Sequence, residues 1–153
     1  MAVGKSTVGR LLAQQLSLPF IDLDSMIAQQ ASTSIPDIFA THGEAAFRAL
    51  ETQAIRDACF GPPSVLALGG GALHTPGNLA LLRDAFDVLV LTAPLLLLQA
   101  RLSATDPADR PLLPELEARY TARQPGYLAA GPSVSAVGTP SEVAARLTQA
   151  LLA

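Results

Sequence analysis

The only lysine in the chain, Lys5, lies in the tetrapeptide Gly4-Lys5-Ser6-Thr7. This tetrapeptide matches the second half of GxxxxGK[ST], a loop in which backbone N–H groups and the lysine ammonium hold nucleotide phosphates. Residues 6–16 follow with apolar side chains at helical spacing, and the motif requires a helix after its loop. We therefore predict a nucleotide-phosphate loop. The alternative is a codon bias toward arginine that left one lysine here by chance.

The leading glycine of this motif, and the strand that feeds such loops, would lie upstream of Met1. We expect Met1 to be an internal methionine of a longer phosphate loop, and a genuine truncation is the alternative. The chain as written should lack that strand, and we expect this to weaken its folding and its nucleotide binding.

Two carboxylates follow the apolar residues 19–21, which are predicted to form a strand. Asp22 and Asp24 would then stand at the carboxyl end of a parallel sheet, where open α/β sheets bind ligands. Side chains alternate along a strand, so residues two apart point the same way and could share a magnesium and substrate site. The alternative for Asp24 is a helix N-cap, which would not require Asp22.

Three consecutive glycines, residues 69–71, follow a second predicted strand at residues 64–68. Glycine is costly in chain entropy, so this run favours a place where a ligand approaches the backbone closely. A tight turn from strand to helix is the alternative, and both can hold. His74 and His42 have no metal-type neighbours in the sequence, so we expect solvated loop histidines.

Arg48 lies in a helical pattern over residues 44–59, with Glu44 and Glu51 at the spacing of helical ion pairs. A surface ion pair contributes well under ~1 kcal/mol of stability and is the default interpretation of such an arginine. The residues by themselves leave open whether Arg48 also binds a ligand.

A polar stretch punctuated by prolines, residues 103–114, interrupts the apolar patterns and contains Arg110. In a small enzyme such a segment is more often a mobile lid than a domain linker. Arg123 follows in the sequence RQPGY. Lid arginines recurrently stabilise the charge on a transferring phosphoryl group, so both arginines are candidates for that role, with surface arginines as the alternative.

Short apolar runs alternate with helical patterns along the chain. The predicted strands lie at residues 19–21, 64–68, 88–91 and, more weakly, 133–137, and a last helix is predicted over Pro140–Leu152. This alternation is typical of a parallel sheet covered by helices on both faces. Neither a repeat nor a linker divides residues 1–153, so we predict one α/β domain.

The composition of the 153 residues, 50% hydrophobic and 15% charged, indicates a small enzyme domain. A net charge of −3 argues against a nucleic-acid partner and against a role at a membrane surface. Cys59 is the only cysteine, which excludes an intrachain disulfide and fits a reducing cytoplasm. The longest apolar run, residues 88–98, is too short to span a bilayer. We expect a cytoplasmic monomer.

In their order and spacing these segments closely resemble shikimate kinase, a family with the P-loop kinase fold. The resemblance runs from Gly4 to Tyr127 and is carried by GKSTVGRLLA, PFIDLD, IPDIFATHGEAAFRALE, LALGGGAL, RPLL and RQPGY. It implies a three-layer α/β fold with a doubly wound parallel sheet, whose first, central strand is missing from this chain.

The resemblance implies that ATP binds at the phosphate loop. The residues whose backbone amides would hold the phosphates are Val3, Gly4, Lys5, Ser6 and Thr7. Lys5 would contact the β- and γ-phosphates, and Arg110 would close over them from the lid. Ser6 would bind Mg²⁺, with Asp22 supporting the metal through water.

The resemblance also implies a shikimate site. Asp24 would hold the hydroxyl groups of shikimate and accept the proton of the attacking one. Arg48 and Arg123 would bind its carboxylate, helped by the backbone of Gly70 and Gly71.

The implied activity is transfer of a phosphoryl group from ATP to the 3-hydroxyl of shikimate, with Lys5, Asp24 and Arg110 as catalytic residues. Phosphoryl transfer is accelerated mainly by positioning and charge stabilisation, which suits these residue types. Two alternatives stay open: a kinase for another small polyol acid such as gluconate, and an inactive remnant that only binds shikimate. The turn at residues 137–140 is short and uncharged, so the sequence identifies no residue that contacts adenine.

Overall fold

The computed structural model describes residues 3–104 and 113–153. Its helices are α1 (Lys5–Leu16), α2 (Leu23–Ala31), α3 (Ile35–Phe60), α4 (Asn78–Ala85), α5 (Leu95–Ser103), α6 (Leu113–Ala130) and α7 (Pro140–Leu152). Its strands are β1 (Phe20–Asp22), β2 (Val65–Ala67), β3 (Val90–Thr92) and β4 (Ser133–Ser135), and a turn of 3-10 helix spans Ala72–His74.

The strands form two parallel pairs, β1 with β2 and β3 with β4. The register pairs Phe20 with Val65 in the first sheet and Val90 with Ser133 in the second. Helices connect the strands of each pair, because parallel strands need a crossover connection. The predicted parallel α/β architecture is confirmed.

A cleft separates the two pairs of strands. In the part of the chain that the structure describes, β2 and β3 do not pair with each other. A cavity of about 530 Å³ lies between them, lined by both strands, by Val3 and by apolar side chains of α1 such as Leu12 and Leu16. This cleft lies where the sequence analysis expected the absent central strand.

Two apolar cores lie on opposite faces of the strands. One forms among α1, α5, α7 and β4, and the other among α2, α3 and α4. Of two neighbouring residues in β2, Val65 packs against the first core and Leu66 against the second. Because side chains alternate along a strand, the cores must lie on opposite faces of the sheet. The predicted three-layer arrangement is therefore confirmed.

Each predicted strand and helix overlaps an observed one, and the largest difference in bounds is in α3, whereas α2, α4, α5 and α6 had no predicted bounds. Helix α7 has the predicted bounds, whereas α3 begins well before the predicted residue 44. Ser34 caps it by accepting the N–H of Asp37, and Pro36 occupies its first turn, both of which favour a helix start. Gly43, with a φ of 80°, interrupts the helical dihedrals. The interruption divides the helix, and the predicted range, residues 44–59, covers only the second part.

Candidate active site

The phosphate loop leads into the N-terminus of α1. Gly4 precedes the helix with a positive φ of 94°, a conformation that glycine adopts without strain. Among the described residues, no side chain caps this end. The first N–H groups of a helix lack intrahelical partners and, with the helix dipole, attract anions. The amides of Lys5, Ser6 and Thr7 therefore offer a site for phosphate oxygens.

Lys5 lies among charges of both signs. Burial lowers the pKa of its ammonium group, the negative charges of Asp24 and Asp22 oppose this shift, and the positive charge of Arg123 adds to it. An ammonium group with little water around it interacts more strongly with phosphate oxygens, because the local dielectric constant is lower. The structure thus brings the predicted phosphate lysine close to three other predicted site residues.

Ser6 and Asp22, the residues predicted to hold Mg²⁺, are in direct contact. The hydroxyl of Ser6 donates a hydrogen bond of 2.7 Å to Oδ2 of Asp22. Where Mg²⁺ binds together with phosphates, the protein typically supplies one or two oxygen ligands and leaves the rest to water and phosphate. This hydroxyl and carboxylate fit that donor set. Residues 3–104 and 113–153 contain no group of three His, Cys, Asp or Glu side chains placed to bind a metal.

Asp22 and Asp24 are not placed as the strand prediction required. Asp22 ends β1 and α2 begins at the next residue, so Asp24 lies in the first helical turn. Asp22 caps α2, accepting the N–H of Ser25 at 3.2 Å. The prediction that strand alternation orients both side chains is therefore wrong, because the cap starts the helix as soon as the strand ends. The N-cap alternative applies to Asp22 and not to Asp24.

Asp24 is an exposed residue, but its carboxyl group lies against Gly69. Partial burial of this group raises the pKa of Asp24, the charge of Asp22 raises it further, and the charges of Lys5 and Arg48 oppose the shift. A carboxylate with a raised pKa accepts a proton more readily than a free one. The geometry therefore suits Asp24 to the predicted role of proton acceptor.

The three glycines of residues 69–71 each face a different predicted site residue. A Cβ atom added to each glycine would lie 2.7 Å from Asp24 Oδ1 at Gly69, 2.5 Å from Arg123 Nη1 at Gly70, and 2.6 Å from Arg48 Nη2 at Gly71. None of the three has a positive φ, so the backbone conformation does not require glycine, but a Cβ atom at any of them would displace the end of a predicted site side chain. The interpretation as a turn is confirmed, because the 3-10 turn begins directly after Gly71, whereas close approach of a ligand stays a prediction. Three residues that are distant in sequence thus meet along one short backbone segment.

Arg48 makes both predicted ion pairs. Its Nη1 lies 2.8 Å from Oε2 of Glu51, and its Nη2 lies 3.3 Å from Oε1 of Glu44. Glu51 is buried, however, with 1% of its side chain exposed, so this contact is not the surface pair that we took as the default. Burial raises the pKa of Glu51, and its hydrogen bond and charge interaction with Arg48 oppose that shift. The two carboxylates hold the guanidinium beside Gly71.

Two residues next to the site were not identified as site residues from the sequence. The hydroxyl of Tyr127 donates a hydrogen bond of 2.8 Å to the carbonyl oxygen of Gly70, and Glu51 is the buried partner of Arg48. Tyr127 follows Arg123 by one helical turn, and this spacing was the available signal. The available signal for the burial of Glu51 was its position next to the apolar face of the helix.

A second cavity, of about 270 Å³, lies beside the phosphate loop. Val3, Gly4 and Thr7 line it together with Arg101 of α5. Arg101 donates hydrogen bonds to the carbonyl oxygens of Val3 at 3.1 Å and Ala136 at 2.9 Å. Arg101 therefore ties the phosphate loop to the segment that follows β4, a role that nothing in the sequence pattern indicated.

Some predictions concern other parts of the chain. Arg110 and residues 105–112 of the predicted lid lie outside the described residues. His42 and His74 are exposed as expected, but the prediction that they lie in loops is wrong, because His42 lies within α3 and His74 ends the 3-10 turn. No helix within the described ranges combines the length and apolar character needed to cross a membrane.

The sequence is similar to known proteins over almost its whole length. The family model described as shikimate kinase matches residues 1–152. A shikimate kinase of Geobacter sulfurreducens is 44% identical over 148 residues, which cover 93% of this chain and 81% of that relative. A shikimate kinase of Salinibacter ruber is 38% identical over 167 aligned positions, covering 100% of this chain and 81% of that relative.

The fold is also similar to solved structures. The crystal structure of a shikimate kinase from Aquifex aeolicus has a TM-score of 0.86 at 30% identity, and the match covers 99% of this chain and 92% of that one. A shikimate kinase from Acinetobacter baumannii, solved in complex with shikimate, has a TM-score of 0.90 at 31% identity, covering 99% and 88%. These relatives share the P-loop kinase fold that the sequence analysis predicted.

Proposed function

The chain belongs to the shikimate kinase family, and from this premise we propose that it transfers the terminal phosphoryl group of ATP to the 3-hydroxyl of shikimate. The observation that carries the proposal is the meeting of Asp24, Arg48 and Arg123 at the three glycines. A carboxylate and two guanidinium groups in one place suit a substrate that has both hydroxyl groups and a carboxylate.

ATP would bind with its phosphates at the N-terminus of α1. The backbone N–H groups there, which no side chain caps, and the ammonium group of Lys5 would donate hydrogen bonds to the phosphate oxygens. Ser6 and Asp22 would hold Mg²⁺, which when bound with ATP neutralises charge on the phosphate oxygens. The cavity of about 270 Å³ beside the loop would receive the adenine, and the planar guanidinium of Arg101, which lines it, would stack on the base.

Shikimate would bind at the glycines with its carboxylate toward the arginines. The guanidinium groups of Arg48 and Arg123 are suited to this because each presents a planar fork of donors. The backbone of Gly70 and Gly71 borders both arginines and would complete the carboxylate site.

Asp24 would act as the proton acceptor in the transfer. A bond forms between the 3-hydroxyl oxygen and the γ-phosphorus, the bond from that phosphorus to the β-phosphate oxygen breaks, and ADP leaves. The hydroxyl proton passes to the carboxylate of Asp24, whose raised pKa supports this role. Lys5 would stabilise the charge that develops on the phosphate oxygens.

Three parts of the proposal rest on the sequence. Arg110 would close over the phosphates from the lid and stabilise the transferring group. We further propose that the protein is a monomer and that it acts in the cytoplasm, in line with its single cysteine and its net charge of −3.

The proposal is tested by measuring ADP release from ATP with shikimate, with gluconate and with neither. We expect release that depends on shikimate, formation of shikimate 3-phosphate by phosphorus NMR, and loss of both in a Lys5→Ala variant. Faster release with gluconate would favour a kinase for another polyol acid. Binding of shikimate by calorimetry without ADP release would favour an inactive binding protein.

A further inference from the structure

Tyr127 reaches the three glycines from α6. Its hydroxyl donates a hydrogen bond of 2.8 Å to the carbonyl oxygen of Gly70, a residue 57 positions away in the chain. A Cβ atom on Gly70 would lie 2.5 Å from Nη1 of Arg123 and 3.6 Å from the Tyr127 hydroxyl oxygen. The guanidinium and the phenol therefore meet over the same glycine.

The guanidinium of Arg123 and the hydroxyl of Tyr127 therefore lie on the same side of Gly70, and the positive charge of Arg123 acts on the phenol. A guanidinium has only donors, whereas a hydroxyl has one proton and two acceptor lone pairs. Because the hydroxyl proton is directed to Gly70, the oxygen can interact with Arg123 only through its lone pairs. Tyr127 thus donates its hydroxyl proton to Gly70 while the guanidinium of Arg123 lies over the same glycine.

The hydroxyl keeps its proton at neutral pH. Burial raises the pKa of Tyr127, and the positive charge of Arg123 opposes that shift. A phenolate could not donate to a carbonyl, so the hydrogen bond to Gly70 requires the protonated form. The environment of Tyr127 maintains that form.

The held carbonyl belongs to the peptide between Gly70 and Gly71. A peptide group is planar, so fixing the carbonyl of Gly70 also fixes the N–H of Gly71, which points the opposite way. Arg48 lies against Gly71, and Arg123 lies against Gly70. Glycine has the greatest conformational freedom of all residues, so the hydrogen bond from Tyr127 restricts this peptide more than it would restrict a peptide between other residues.

We propose that Tyr127 is a positioning residue for shikimate: its hydroxyl fixes the guanidinium of Arg123 and the Gly70–Gly71 peptide in the arrangement that receives the substrate carboxylate. This inference rests on the proposed function, because the substrate defines what is being positioned. Tyr127 does not touch the reacting atoms. It acts on shikimate binding through Arg123 and the glycine backbone.

The experiment compares Tyr127→Phe with Tyr120→Phe as a matched control. Tyr120 lies in the same helix and donates its hydroxyl to the carbonyl oxygen of Ala93 at 3.4 Å. Loss of one hydrogen bond predicts a rise of about fivefold in the KM for shikimate, and in the Kd from calorimetry, for Tyr127→Phe. We expect an unchanged KM for ATP and an unchanged thermal midpoint. Tyr120→Phe should leave the KM for shikimate unaltered.

A double-mutant cycle with Arg123→Ala tests the coupling. If the hydroxyl acts through Arg123, Tyr127→Phe should raise the KM for shikimate much less in the Arg123→Ala background than in the parent protein. An additive result would overturn the proposal, as would an unchanged KM in the single variant. A Tyr127→Phe protein that fails to fold, or loses affinity for ATP and shikimate equally, would assign the hydroxyl to stability. Absence of shikimate-dependent ADP release in the parent protein would instead overturn the proposed function.

Discussion

The guanidinium of Arg48 donates a hydrogen bond from Nη1 to Oε2 of Glu51 at 2.8 Å, and Glu51 is buried although it carries a charge. From the solvent side, Nη2 contacts the largely exposed Glu44 at 3.3 Å. Of the Arg48 atoms, Nη2 would also lie closest to a Cβ atom added to Gly71. Buried ion pairs contribute little net stability, because desolvation offsets their attraction. The main effect of the pair between Arg48 and Glu51 is therefore to fix the direction in which the arginine side chain points.

Glu51→Gln should cost more stability than Glu44→Gln. The first change leaves Arg48 without its buried anionic partner, and we expect the free energy of unfolding to fall by about 1–3 kcal/mol. The second removes an exposed pair, for which we expect less than about 1 kcal/mol. Urea unfolding of the two variants and the parent protein measures both values. Equal losses would show that burial of Glu51 does not matter to the pair.

Arg48→Lys should impair shikimate binding even though it keeps the positive charge. Recognition of a carboxylate by two parallel hydrogen bonds needs the planar fork of arginine, which lysine lacks. We expect the KM for shikimate to rise at least about tenfold, equivalent to ~1.4 kcal/mol, with a much smaller effect on ATP. Arg56→Lys, at an exposed position of α3, is the control. An unchanged KM for shikimate would return Arg48 to a purely structural ion-pair role.

Asp24→Asn should abolish most of the turnover and change how stability depends on pH. We expect kcat to fall at least about 100-fold, because the amide cannot accept the hydroxyl proton. Burial raises the pKa of Asp24 above its ordinary value of 3.8, so the native state holds this proton more tightly than the unfolded chain. The stability that results is present below the unfolded pKa and is lost as pH rises through the native pKa.

The Asp24→Asn variant does not lose stability in this way as the pH rises. Between about pH 4 and about pH 7 it should therefore gain stability relative to the parent protein, as measured by urea unfolding. Asp87→Asn, at an exposed position, is the control and should follow the parent protein. A stability difference between parent and Asp24→Asn that is the same at both pH values would contradict a raised pKa.

The cleft between β2 and β3 should accept an extended apolar segment. Both strands present an edge to it, and Val3 lines it, so a segment joined ahead of Met1 can reach it. A fused apolar strand of about six residues should pair with both edges and raise Tm by at least about 5 °C.

The control for this fusion is the same segment with a proline at its centre. Proline removes a backbone donor and is excluded from central strands, so this version should raise Tm much less. Equal Tm values for the two fusions would show that the segment does not enter the sheet as a strand.

Much of the local structure was predictable from the sequence because its causes are local. The phosphate loop and α1 follow from a motif and an apolar spacing, and Pro140–Leu152 is bounded by a capping box that begins at Thr139. The order of strands and helices follows from the alternation of apolar patterns. The start of α3 and the cap at Asp22 were not predicted, although the signals for both are local. Both α2 and α3 begin close to other apolar patterns in the sequence, and the prediction followed those patterns instead.

The meeting of distant side chains was decided only by the tertiary structure. Asp24, Arg48 and Arg123 belong to different helices, and the sequence could name them without showing that each lies against its own glycine. The burial of Glu51 and the hydrogen bond of Tyr127 to Gly70 likewise depend on how separate helices pack. The spacing of residues along a chain determines which faces are apolar. Which polar groups those faces then enclose depends on contacts between elements far apart in sequence, which local spacing does not encode.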